Sequence, residues 1–471
     1  MKRYLKMQNI LISALSGLVL GSVCRLGLFY GSLLGISVFF FLPSFTKYIE
    51  KEKEAYFRYI QACLYMEQME NSFKKTKRIY QSLKETLALF PEGEMKDTIQ
   101  KAVDEIEKKD AMADAAEKAL AIIEEAYGCE QMELMHSFFL RSQEQGGDVI
   151  QAVGILESRR NAWSDSVEQC RSEKKNMLFS VLMSFVLLFV VSEAMMFFLP
   201  KEMNIMENVF ERIAVVTEIL FLLFMARSVL KKNATDWLER IKERTPEAVE
   251  KDYHFIEHYN PVKEMHTSIK WALLPLILTV VLFLMKRSMV ILSIGLALTV
   301  FLLNQHKLDY AMKKKRIKKE VERDFPRWMF HVILLLETES VQGAIYASMD
   351  KVPASLQYPV EKMCAELKKD PIGSDPYFSF LKDYEVPKVQ EAVKLLYSIR
   401  SGTGGDINEQ MLSVIEKNND MTLRSEKIKN DNRVAGMMGY LFLPVLPSGI
   451  KIMADLALVM ITMYSNLGSV L

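Results

Sequence analysis

Ser142-Gln143-Glu144-Gln145-Gly146-Gly147-Asp148 returns, altered, as Arg400-Ser401-Gly402-Thr403-Gly404-Gly405-Asp406, about 258 residues further along the chain. Each copy lies between two helical patterns, and each is followed at the same interval by a long apolar run, starting at Met177 and at Ala435. The flanks correspond too: Val149, Val153 and Leu156 match Ile407, Met411 and Val414. A fixed period of this kind is the signature of an internal repeat. The sequence therefore predicts a duplicated unit in which a helical bundle precedes a membrane segment.

Composition agrees with a membrane protein and removes other classes. Half of the 471 residues are hydrophobic and a quarter are charged, and the two kinds are segregated into blocks. Lys and Arg number 60 against 59 Asp and Glu, so no basic excess points to a nucleic-acid partner. The five cysteines, Cys24, Cys63, Cys129, Cys170 and Cys364, show no Cys-x-x-Cys spacing and suggest neither a disulfide framework nor a zinc site.

In chain order, residues 1–46 read as an N-terminal membrane anchor, either a tight hairpin of two short spans around Arg25 or one long tilted helix. Residues 47–176 read as a first helical bundle, with breaks at Pro91-Glu92-Gly93, Gly128 and Gly146-Gly147. Residues 177–230 supply two transmembrane helices joined by a short, net acidic loop at 200–208. Positive charge collects on the cytoplasmic side of membrane spans, so this loop is placed outside and the bundle inside. Residues 231–269 read as a cytoplasmic linker. Its His254 and His258, with Asp252 and Glu257 nearby, read as a solvated face, because a metal site needs three or four convergent ligands.

Residues 270–305 repeat the anchor design around Lys286-Arg287, as a hairpin or a single span. The basic cluster Lys313-Lys314-Lys315-Arg316-Ile317-Lys318-Lys319 follows, a juxtamembrane run that attracts anionic lipid and fixes its segment in the cytoplasm. Residues 306–434 form the second bundle and 435–471 the C-terminal membrane segment, for seven or eight spans in all. The fold class is all-α.

The repeated motif has a local physical reading. Glycine closes a helix in the left-handed conformation, and Asp is a favoured N-cap for the next helix. Gln151 and Glu409 lie three residues after Asp148 and Asp406, which is capping-box spacing. Gly146, Gly147, Asp148 and Gln151, with Gly404, Gly405, Asp406 and Glu409, are thus read as a structural turn and cap. A phosphate-cradling loop would need a preceding strand and a Gly-x-x-x-x-Gly-Lys pattern, both missing. Glu193, Glu218, Lys451 and Asp455 fall in apolar runs, where ionisable groups are costly and commonly mark helix contacts or pathways. Lys451 and Asp455, four apart, are positioned to pair on one helix. Arg227 also lies at membrane depth.

The order of spans and bundles, the duplication, and Ser401-Gly402-Thr403-Gly404-Gly405-Asp406-Ile407 resemble the F-type inner-membrane platform proteins of type II secretion and type IV pilus machines. The first half, with Glu144-Gln145-Gly146-Gly147-Asp148 and Trp163, is similar to one Tad-pilus platform subunit and the second half to its partner, as in a fusion of the two. That resemblance implies a non-enzymatic hub in the cytoplasmic membrane with no catalytic residues, cofactor or metal. Its partners would be a secretion or pilus ATPase, pilin or pseudopilin subunits and membrane lipids, with self-association into a homo-oligomer and no nucleic acid. The competing expectation from the residues is a transporter or channel built on the intramembrane acids.

Overall fold

The computed structural model describes residues 7–108, 114–145, 149–197, 208–238, 244–286, 289–336, 339–402 and 407–468. Every element among them is a helix. Five helical stretches are long and apolar enough to cross a membrane, within Gly27–Thr76, Val153–Ala194, Val209–Asn233, Pro261–Met285 and Ser413–Tyr464, which marks the chain as a membrane protein. Sequence predicts seven or eight spans; among the described residues, five helical stretches meet the length and hydropathy of a span. Met7–Val23 and Leu292–Leu303 are apolar helices of fewer than 18 described residues. The chain divides into two compact units, one comprising Met1–Arg240 and Lys427–Leu471, the other Ile241–Glu426.

The first unit opens with a hairpin of α1 (Met7–Val23) and α2 (Gly27–Thr76). Arg25 and Gly27 make the turn with positive φ, 51° and 78°. The two helices approach through Gly17, Gly21, Gly31 and Gly35: a Cβ on Gly17 would lie 2.6 Å from the Gly31 carbonyl oxygen and 2.9 Å from the Gly35 Cα. Small residues allow such backbone contact, which is how helices associate in lipid where no hydrophobic gradient drives them together. Pro43 removes one helical hydrogen bond, yet α2 continues through it for 50 residues in all, past the boundary at 46 read from composition. Anchor and bundle therefore share one helix.

Four shorter helices follow: α3 (Ile79–Leu89), α4 (Glu94–Lys108), α5 (Ala115–Tyr127) and α6 (Glu130–Gln145). They precede the 49-residue α7 (Val149–Phe197) and then α8 (Val209–Asn233). Aromatic contacts fill the core. Tyr59 meets Trp163 edge-on at 5.2 Å and Phe73 stacks on Phe139 at 4.0 Å. Two buried polar pairs lie in this core, with Tyr65 Oη 2.9 Å from His136 Nε2 and Arg160 donating to Glu70 at 2.9 Å. Leu26 in the turn and Leu34 of α2 pack with Val215, Val216 and Ile219 of α8.

The second unit contains α9 (Pro246–Glu257), α10 (Pro261–Lys286), α11 (Met289–Leu303), α12 (Gln305–Leu336), α13 (Val341–Ala347), α14 (Ala354–Lys369), α15 (Asp375–Ser379) and α16 (Pro387–Ser401). Its core gathers Phe325, Trp328, Val360, Tyr377 and Leu396. The Trp328 indole N–H donates to Ser348 Oγ at 2.9 Å. The stretch read as a linker, 231–269, is corrected here. Val249, Tyr253 and Ile256 of α9 are buried in this core, and Tyr253 Oη donates to the Ser355 carbonyl at 2.9 Å. The sequence disguises this because the apolar stripe is narrow and the remaining faces of α9 are charged. The basic run 313–319 lies within α12, where Ile317 turns into the core and the lysines face outward.

α17 (Ile407–Phe442) and α18 (Val445–Gly468) complete the chain. A turn at Leu443 and Pro444 separates them. Val414 and Met421 of α17 belong to the second unit's core, whereas Met437 packs in the first unit with Val181 and Phe185 of α7 and Met225 and Val229 of α8.

Two glycines in helices should respond in opposite ways. Gly154 of α7 has open space, with nothing within 4 Å, where an added Cβ would sit, so Gly154→Ala should raise stability by up to about 1 kcal/mol through helix propensity. Gly17→Ala should lower it by about 1–3 kcal/mol, because the hairpin must open to admit a methyl group. Thermal unfolding of the detergent-solubilised protein checks both, and a neutral Gly17→Ala would refute the close glycine contact.

Candidate functional site

Seven side chains from three helices of the first unit converge at membrane depth: Ser192 and Glu193 of α7, Glu211 and Glu218 of α8, and Ser448, Lys451 and Asp455 of α18. Helical periodicity puts each set on one face. Residues 448, 451 and 455 are spaced by three and four, and 211 and 218 are two turns apart. The local sequence fixes the starts of both helices. Asn208 caps α8 by accepting from the Phe210 N–H at 2.9 Å, and Glu211 then falls in the first turn, where the helix dipole favours a carboxylate. Pro447 sits in the first turn of α18, where a missing N–H costs nothing.

Lys451 is the centre. Its ammonium lies 2.8 Å from Asp455, 3.1 Å from Glu193, 3.1 Å from Glu211 and 3.3 Å from the Ser192 carbonyl oxygen. The Lys451 and Asp455 side chains are each only 1% exposed. Glu218 stands beside this group and is served by hydroxyls: Ser448 donates at 2.6 Å, and Ser192 at 3.1 and 3.0 Å. Oε2 of Glu211 and Oδ1 of Asp455 are buried with no hydrogen-bond donor among the described residues. Burying charge is costly unless it is paired, so one lysine shared by three carboxylates determines how α7, α8 and α18 can meet.

A second junction lies nearer the bundle. Lys174 of α7, 2% exposed, donates to the carbonyls of Lys232 at 3.1 Å and Asn233 at 2.8 Å, and also to Thr235 Oγ1. The last carbonyls of α8 have no helical partner, and a cation there offsets the negative end of the helix. Lys232 in turn donates to the Gly436 carbonyl of α17 at 2.8 Å. Asn430 donates to the Ser166 carbonyl of α7 at 3.0 Å and to its Oγ at 2.7 Å. α7 is thus fastened to both α8 and α17 just before its apolar half.

Of the residues singled out from sequence, Glu193, Glu218, Lys451 and Asp455 come together in this cluster. Arg227 does not, being exposed on α8. Gly146, Gly147, Asp148, Gly404, Gly405 and Asp406 lie outside the described residues, as do the side chains of Gln151 and Glu409. Helices are described on both sides of each motif. α7 is described from Val149 and α17 from Ile407, while α16 ends at Ser401 with Gly402 left-handed at φ 64°. Sequence reasoning missed Glu211, Ser192 and Ser448. The seven-residue spacing of Glu211 from Glu218 was the available signal, obscured because Glu211 sits at the edge of its apolar run. The serines carry no hydropathy signal.

Lys451→Met should destabilise the solubilised protein by about 3–5 kcal/mol, the usual consequence of stranding buried charges. Adding Asp455→Asn should recover part of that loss, since neighbouring substitutions are not additive. A Lys451→Met protein with a wild-type unfolding midpoint would show that the carboxylates do not depend on this ammonium. No family model, curated protein or solved structure matches the chain.

Proposed function

We propose that this chain is an inner-membrane platform protein of a type II secretion or Tad-like type IV pilus machine, non-enzymatic, that couples a cytoplasmic ATPase to the assembly of pilin subunits. In this reading the two helical bundles are duplicated copies on the cytoplasmic side, contacting the ATPase and anionic lipid, and the chain works as a homo-oligomer. The observation that carries it is the continuity of α7, one helix from Val149 to Phe197 with a bundle-packing half and an apolar half. At 1.5 Å per residue the part before Met177 is a rod of about 42 Å. The fastening of that rod to α8 and α17 at Lys174, Asn430 and Lys232 gives a route by which movement of the bundle would displace the membrane helices. Coupling of this kind requires an element with defined positions, and a braced helix is such an element. The duplication in this reading rests on the repeated Gly-Gly-Asp sequences and their matching flanks.

One observation favours a second reading, a cation or proton transporter. The donor-free oxygens of Glu211 and Asp455 beside Lys451 are where a transported ion would bind. Proteoliposome flux that Asp455→Asn abolishes would support this reading over the platform.

The platform reading predicts the outcome of breaking the rod. Inserting Gly-Gly-Ser-Gly after Glu173 in the host that carries the gene should abolish filament assembly or secretion while the protein still reaches the membrane at normal abundance. The same insertion after Ile372, 82% exposed in a turn closed by the Asp370 carboxylate, should be tolerated. Normal assembly with the insertion at Glu173 would remove the mechanical role.

A further inference from the structure

The end of α9 and its cap read His254-Phe255-Ile256-Glu257-His258. At 100° per residue, positions 254, 257 and 258 share one helical face. Each offers one ligand atom, and the three atoms lie within 4.8 Å of one another, all on exposed residues. Two histidines alone would be a solvated face. Glu257 is the third convergent group, and it turns the face into a candidate coordination site.

The surroundings hold these side chains in orientations suited to ligation. His258 Nδ1 lies 3.0 Å from the His254 carbonyl oxygen. A carbonyl only accepts, so Nδ1 carries the proton and Nε2 keeps its lone pair for a ligand. A backbone carbonyl fixing the second ring nitrogen is the usual support of a metal-binding histidine. The His254 ring rests edge-on against Tyr358 at 5.2 Å. Glu257 is held from α14: Tyr358 Oη donates to one oxygen at 2.6 Å and Lys362 Nζ to the other at 2.9 Å. The carboxylate is anionic, preset, and has lone pairs to spare.

We propose that His254, His258 and Glu257 bind a divalent first-row transition ion of the zinc and copper class, with Tyr358 and Lys362 as positioning residues. Two imidazoles and one carboxylate suit these borderline ions over Mg²⁺ or Ca²⁺, which prefer all-oxygen shells. Exposure leaves the remaining coordination positions to water. Glu257, engaged by Tyr358 and Lys362, would serve as a ligand, and a second carboxylate, Glu250, lies 3.5 Å from His254 Nε2. Binding would tie the end of α9 to α14 through Glu257. A metal ion would thereby reinforce the packing of α9, which the core otherwise holds by Val249, Tyr253 and Ile256.

Calorimetric titration of ZnCl₂ into the chelator-treated full-length protein in detergent tests this. We expect one saturable site, weakened at least tenfold by His254→Ala or by His258→Ala and unchanged by His266→Ala. Tyr358→Phe keeps the ring against His254 and removes only the hydroxyl, so it should weaken binding by about tenfold, the usual effect of losing an outer-shell partner. In parallel, the electron paramagnetic resonance spectrum of one added equivalent of Cu²⁺ should show nitrogen hyperfine structure that disappears in the His254→Ala, His258→Ala double variant. Zinc binding equal in wild type and double variant, or a copper spectrum indifferent to both histidines, would overturn the proposal.

Discussion

One buried ammonium organises the membrane part of the first unit. Lys451 lies within 3.1 Å of carboxylates on three helices, Glu193 on α7, Glu211 on α8 and Asp455 on its own helix α18. In lipid, leucine and valine faces gain little by leaving acyl chains for one another, so apolar contact alone fixes neither partner nor register. A shared charge does both. A one-residue register shift of α18 would turn Lys451 by about 100° away from Glu193 and Glu211, leaving those two carboxylates without their cation in a medium that penalises each, while Asp455 would travel with Lys451 on the same helix. The hydroxyls of Ser192 and Ser448 extend the constraint to Glu218, so each of the four acids has at least one cationic or hydroxyl partner in this arrangement.

Registration at this depth matters because the helices do not stop at the membrane boundary. α2 and α7 each run for about 50 residues between an apolar half and a half that packs in the bundle. Bundle and membrane segment are thus two ends of the same rigid elements. Fixing α7 at Glu193 at one end and at Lys174 and Ser166 at the other leaves it little freedom to bend independently. A helix is stiff along its axis because its hydrogen bonds close locally, so α7 holds the spacing between these two fastenings.

Much of this was legible in the sequence, for identifiable reasons. The all-helical class followed from helical periodicity and apolar runs, which depend only on local order. The meeting of Lys451 with Asp455 was legible because both lie on one helix, four residues apart. Their partners on α7 and α8 were not, since contacts between helices distant in sequence depend on rotation and depth, which hydropathy does not encode. Glu211 illustrates this: at the rim of its run it reads as an interfacial acid, and only the placement of α18 makes it a ligand of Lys451. α9 was misread for the opposite reason. Its buried residues number only a few among many charges, and a stripe of Val249, Tyr253 and Ile256 is too short to stand out from a polar connector. The same helix hid a third convergent group beside its two histidines, because Glu257 gains its fixed orientation from Tyr358 and Lys362 about a hundred residues away.

The first unit uses two means of joining helices in lipid, and they differ in what they require of the sequence. The α1 and α2 pair relies on absence: with no side chain at Gly17, Gly31 and Gly35, backbones meet at van der Waals distance, and any added carbon separates them. The α7, α8 and α18 group relies on presence, namely a cation and acids at fixed depths. Apart from these contacts, the apolar helices carry leucines, valines and phenylalanines such as Leu187, Val190 and Phe224, more than half exposed, which are interchangeable among apolar residues because lipid accepts any of them. Specificity is therefore concentrated in a few glycines and ions. A change of one atom group at Gly17 or Lys451 alters which helices meet, whereas replacing a whole side chain at Leu187 alters only the surface presented to the bilayer.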